Sequence, residues 1–314
     1  MKKIIVSLWI IVLTITGCQS NIERNGEKLI ETVNGNNQEQ TILVKNNPKR
    51  LAVMDYSALD IIDTLNLGGN VVGVSKQENS IEYLNSYIEN DNLINLGTIK
   101  EPNMEGVLEA NPDLIIIGGR LAEYYDELSK IAPVYLMQTK IEEGVVNSIK
   151  NNAKTIASLY GIESEVEKKF VDYEKRIKEI KEFSKEKTAI ISIISGQKFS
   201  VLGDNGRCSL ISNEFGFKNI GLVEGQETST HGNEVSYEFI LETNPEYIFV
   251  LDRDQAIGTQ SGADEIFSNE IIKETTASKN NNIIILENSN IWYMADGGIK
   301  ALDIMISDIE KSIS

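Results

Sequence analysis

From about Thr41 to the C-terminus, short continuous apolar runs alternate with longer segments whose apolar positions recur every three or four residues. The first pattern suits buried strands and the second amphipathic helices, so their alternation predicts an α/β fold. Strands are expected at 50–54, 71–74, 93–96, 114–117 and 134–137. A second set is expected at 188–194, 199–202, 247–251 and 283–286. A helix over 57–65 follows the first strand, with Ser57 as its N-cap. Between the two sets, residues 163–187 place Val166, Phe170, Tyr173, Ile177 and Ile180 at spacings of four and three. That makes one apolar stripe, too short for a coiled coil and better suited to a single helix bridging two lobes. The expected architecture is two Rossmann-like lobes, 41–162 and 188–314, joined by one long helix over 163–187.

An internal repeat sharpens this picture. The segment 105–117, EGVLEANPDLIII, returns as EFILETNPEYIFV at 238–250, and an arginine follows each strand at the same offset, Arg120 and Arg253. Seven of 17 positions agree between 104–120 and 237–253, both arginines included. A generic helix–Pro–strand unit accounts for part of that agreement but not for the arginine. Each lobe therefore presents an arginine just past the carboxyl end of an equivalent strand, which is where open α/β sheets bind ligands.

The N-terminus has a different character. Lys2 and Lys3 precede an apolar run over 4–15, too short to span a bilayer as a mature helix, and the run ends in Thr16-Gly17-Cys18. This resembles a bacterial lipobox, so 1–18 is expected to be a lipoprotein signal with Cys18 the lipidated residue. Residues 19–40, rich in Asn, Glu and Gly, are expected to form a flexible tether. With Cys18 acylated, Cys208 has no partner for a disulfide. The formal net charge of −17, from 47 acidic and 30 basic residues, argues against a nucleic-acid partner.

Against that acidic background arginine is scarce, six residues in all, and three of them sit at strand exits: Arg120 in GGR, Arg207 in GDNGR, and Arg253 in DR. A guanidinium is a rigid, permanently charged fork suited to a delocalised anion. The competing reading is that each pairs with a local acid, as Asp252 and Asp254 allow for Arg253. Three converging arginines, two of them related by the repeat, favour a ligand site. His231 is the only histidine, so protein side chains alone cannot build a histidine-rich metal site. Trp292-Tyr293 either lines a cleft or fills the core. No G-x-S-x-G, H-E-x-x-H, C-x-x-C or Walker A loop occurs, and no nucleophile is signposted for His231, so an enzyme is not expected.

Several segments are similar to the ferric-siderophore-binding lipoproteins of ABC importers, particularly the catecholate branch: DYSALD at 55–60, SKIAP at 129–133, STHG at 229–232, FILE at 239–242 with Asn244-Pro245, and Trp292-Tyr293. The resemblance runs from about Lys49 onward. It implies a class III solute-binding protein of the helical-backbone type, with no intrinsic cofactor and a ferric catecholate as cargo. It also implies that Arg120, Arg207 and Arg253 surround the anionic iron centre, with Trp292 beside them. His231 and Tyr293 would ligate Fe(III) directly when the chelator donates only four oxygens. Glu105 and Glu238 would dock on the permease. Relatives carry an aromatic where this chain has Cys208. The expected protein is a lipid-anchored, extracytoplasmic monomer. Haem or cobalamin binding on the same fold, or a surface interaction module, are the competing readings.

Overall fold

The computed structural model describes residues 26–77, 81–222 and 231–313. The calls on the signal segment, Cys18 and the start of the tether lie outside these residues.

The N-terminal lobe is built on five parallel strands in the order β5-β4-β3-β6-β7. Their ranges are β3 Leu51–Met54, β4 Val71–Val74, β5 Ile94–Asn95, β6 Leu114–Gly118 and β7 Val134–Met137. Strands β3, β6 and β7 are buried along their whole length, as parallel strands covered on both faces should be. The C-terminal lobe centres on β8 (Thr188–Ser195) and β12 (Tyr247–Asp252), which pair in parallel. On the far side of β12 lies β13 (Ile283–Ile285). Beyond β8 lie β9 (Lys198–Val201) and β11 (Asn233–Glu234), both antiparallel, while β10 (Lys218–Asn219) pairs with the start of β8. The expected α/β lobe is therefore present in both halves.

The two copies of the repeat have matching local structure. Met104–Ala110 and Tyr237–Thr243 are both seven-residue helices. Asn103 caps the first by accepting from the Gly106 amide, and Ser236 caps the second by accepting from Phe239. Each helix ends on a left-handed asparagine, Asn111 at φ 41° and Asn244 at φ 46°, followed by proline. Helix, turn and strand then deliver Arg120 and Arg253 to equivalent points.

A 22-residue helix, Glu163–Ser184, links the lobes, three residues shorter than its apolar stripe suggested, and buries Val166, Phe170, Ile177 and Ile180. The C-terminal helix, Ile299–Ser312, folds back onto the N-terminal lobe. Its first turn is anchored by Asp60, a fully buried residue of the helix Tyr56–Thr64, which accepts from the Lys300 and Ala301 amides at 2.9 Å each and from the Tyr83 hydroxyl. A side chain at Gly298 would strike Asp60, with a Cβ only 2.4 Å from its Cγ. One apolar cluster consequently runs through both lobes, and smaller clusters lie behind each sheet.

Two expectations need correction. The tether does not extend to residue 40: β1 (Glu27–Val33) and β2 (Glu39–Lys45) form a hairpin against the β7 edge, where Thr32 Oγ accepts from the Leu136 amide. The N-cap of the helix Tyr56–Thr64 is Asp55, bonded to the Ala58 amide, and not Ser57. Ser57 lies inside the helix, and its hydroxyl accepts from the Gly297 amide across the lobe boundary.

Candidate functional site

In each lobe the strand order reverses beside the central strand, and an arginine from each reversal reaches Tyr293. In the N-terminal lobe, β3 leads to Asp55 and β6 to Arg120. Gly118 at the end of β6 packs so tightly on Asp55 that a Cβ would lie 2.1 Å from its carboxylate oxygen. In the C-terminal lobe, β8 ends at Ser195 and β12 at Asp252, which caps the turn Arg253–Ala256 by accepting from Gln255. Arg253 Nη1 reaches back across the reversal to Ser195 Oγ at 3.2 Å.

The three arginines meet at Tyr293, in the short helix Ser289–Met294. Arg120 Nη2 and Arg207 Nη1 donate to the Tyr293 carbonyl at 2.8 and 2.9 Å, and Arg253 Nε donates to its hydroxyl at 3.3 Å. The guanidinium of Arg207 stacks 4.2 Å from the centre of the phenol ring, with those of Arg120 and Arg253 at 5.8 and 6.0 Å. Burial opposes ionisation of this phenol. The hydrogen bond from Arg253 and the charges of Arg207, Arg253 and Arg120 outweigh it, so its pKa falls below the usual tyrosine value.

The partners of the other described arginines make a useful contrast. Arg176 on the linking helix is bound by Asp303, Glu310 and Ser307, and Arg50 by the Ala110 and Asn111 carbonyls. Both are consumed by structure. At the cleft, the only carboxylate among the described residues within ion-pair range is Asp254, 3.7 Å from Arg253, and among those residues the buried Arg207 Nε has no hydrogen-bond partner. Donor capacity is concentrated here and left largely unspent.

A cavity of about 180 Å³ adjoins this cluster. Arg120 and Arg207 form part of its wall, with Thr139 and Ile141 from one lobe, Cys208 and Leu210 from the other, and Trp292 and Asp296 from the segment between. Burial pushes the Cys208 thiol up to about 12, more than the nearby Arg207 lowers it, with the Asp296 charge adding to the rise. It therefore stays a neutral thiol, a poor partner for a hard metal. Burial also raises the Asp55 carboxyl. The Ala58 amide and the Arg120 charge work against that rise, while the Asp296 charge adds to it.

Trp292 is 1% exposed, and its indole donates to Asp308 Oδ2 at 2.9 Å, so it walls the cavity with its donor already used. His231 is exposed on the turn before β11. Glu105 and Glu238 are exposed in the first turns of the repeated helices. The described residues contain no group of three or more His, Cys, Asp or Glu placed to hold a metal. Sequence reasoning missed the Tyr293 carbonyl as the meeting point, and also Ser195 and Asp296. A main-chain oxygen carries no sequence signal.

A family profile described as periplasmic binding protein matches residues 51–289. The petrobactin-binding protein YclQ of Bacillus subtilis is 32% identical over 307 residues, 96% of this chain and 95% of that protein. The ferric-anguibactin-binding protein FatB of Vibrio anguillarum is 27% identical over 308 residues, 95% of this chain and 94% of that one. Among solved structures, the periplasmic catecholate-siderophore binding protein VctP from Vibrio cholerae superposes with a TM-score of 0.81 at 31% identity, covering 90% of this chain and 99% of that one.

Proposed function

The chain belongs to the periplasmic binding protein family, and from that premise we propose that it captures a ferric siderophore outside the cytoplasm and hands it to an ABC importer. It is a binding protein and not an enzyme, and iron reaches it as cargo within a chelate. The observation that carries the reading is the convergence of Arg120, Arg207 and Arg253 on Tyr293 with so few acidic partners. A ferric catecholate is a compact polyanion whose oxygens accept from such forks. Burying three arginines without an anion would be costly, and the anion offsets that cost.

The finer points belong to the same proposal. The ligand is a catecholate, the siderophore class for which the similar protein VctP is named. Tyr293, with its lowered pKa, supplies a phenolate to Fe(III) when the chelate leaves coordination positions open, and His231 supplies the second donor. Cys18 carries a lipid, and the protein works as a monomer on the outer face of a membrane.

Trp292 is the only tryptophan after residue 9, so ligand capture is readable as quenching of its fluorescence. Hexadentate and tetradentate ferric catecholates are expected to quench it strongly, and ferric hydroxamates only weakly. His231→Ala should weaken the tetradentate complex by about ten-fold, the weight of one charge-assisted contact, and leave the hexadentate one nearly unchanged. Equal binding of hydroxamates and catecholates would sink the catecholate assignment.

Glu105 and Glu238, at equivalent exposed positions of the two lobes, are the proposed permease-docking pair. Reversing both to Lys is expected to abolish uptake of the ferric siderophore into cells while leaving its binding to the purified protein intact. Uptake at the wild-type rate would remove them from that role.

A further inference from the structure

We infer that the cavity beside the arginine cluster is a subsite for a protonated amine carried by the iron chelate, with Asp296 as its anionic anchor. This rests on the siderophore reading above and adds a second recognition element to it.

Asp296 is the only carboxylate among the described residues of the cavity wall. Two arginines line the same wall, yet Asp296 forms neither a hydrogen bond nor an ion pair with them: Arg120 and Arg207 turn N–H groups to the Tyr293 carbonyl instead. Among the described residues no side chain closes an ion pair with it. A half-buried carboxylate in a cavity walled by Ile141, Leu210, Trp292 and Met305 loses hydration without gaining a partner. Its field is felt nearby, since it raises both the Asp55 carboxyl and the Cys208 thiol. The volume, about 180 Å³, is over ten times the roughly 10–15 Å³ that a cavity needs to hold one water, enough for a short alkyl chain ending in a cation.

The geometry separates two charges of opposite sign within one site. The arginine cluster takes the negative iron centre, and Asp296 takes a positive group tethered to it. The apolar walls suit the methylenes between them. A chelate bearing an ammonium arm would neutralise Asp296 on binding, whereas an uncharged arm would leave that carboxylate desolvated and unpaired.

The test uses the purified mature chain and two synthetic ferric bis-catecholates of equal length. One has a protonated secondary amine in its arm, and the other has an ether oxygen at that position. Wild type is expected to bind the amine chelate about ten-fold tighter, the scale of one hydrogen bond to a charged group. Asp296→Asn and Asp296→Ala should erase that preference, and their retained affinity for the ether chelate reports that they fold. A preference that survives both substitutions overturns the subsite while leaving iron-chelate capture standing. Equal gains for both chelates in the variants overturn it too, because Asp296 would then act only by opposing anions at the arginines. If wild type binds neither chelate, the capture reading falls, and the subsite with it.

Discussion

Replacing Arg120, Arg207 and Arg253 together by Gln is expected to lower affinity for a ferric catecholate by about a thousand-fold or more. Removing one partner from a desolvated charge pair commonly costs roughly 2 kcal/mol or more, about thirty-fold in affinity. Three such losses in one cluster will not add simply, because the groups share Tyr293. The triple variant carries its own internal control. The Tyr293 phenol loses the hydrogen bond from Arg253 and three adjacent positive charges, the factors that hold its pKa down against burial. Its phenolate absorbance, identified by subtracting a Tyr293→Phe titration, should therefore appear at higher pH than in wild type. If affinity and the phenol titration both stay at wild-type values, the guanidiniums are not the anion-binding element.

Asp60→Ala is expected to cost about 3–5 kcal/mol of stability, the range for stripping the acceptor from a buried hydrogen-bonded charge site. The substitution leaves the Lys300 and Ala301 amides and the Tyr83 hydroxyl facing a void, and releases the first turn of the C-terminal helix from the N-terminal lobe. Urea unfolding should show a lower midpoint with an unchanged slope. A loss below about 1 kcal/mol would mean that water replaces the carboxylate there, and that the helix is held by its apolar face alone.

Much of the scaffold is written in local patterns. The repeat placed Arg120 and Arg253 at equivalent exits because cap, left-handed asparagine, proline and strand are all short-range signals. Tyr293 was legible as a side chain, through resemblance, but not as a carbonyl shared by two arginines. That sharing depends on where Ser289–Met294 lands between the lobes. The β1–β2 hairpin escaped detection because its inward face is partly polar. Lys28 and Thr32 are buried there, satisfied by the Ser158 carbonyl and the Leu136 amide, so the stretch reads as a hydrophilic linker. The anchoring role of Asp60 carried no local signal, because the Lys300 and Ala301 amides that bind it lie 240 and 241 residues downstream.

Arg120 and Arg207 arrive at the Tyr293 carbonyl from opposite lobes, in bonds made within the fold itself. Long side chains ordinarily lose about 0.5–1.5 kcal/mol each when an encounter immobilises them. Folding has already frozen these two, so an incoming anion meets a rigid seat that needs little rearrangement. The speed of loading is then governed by diffusion and ionic strength, and chelates differ chiefly in how long they stay. Such a carrier loads readily and holds on, which leaves unloading as the step where outside help matters most.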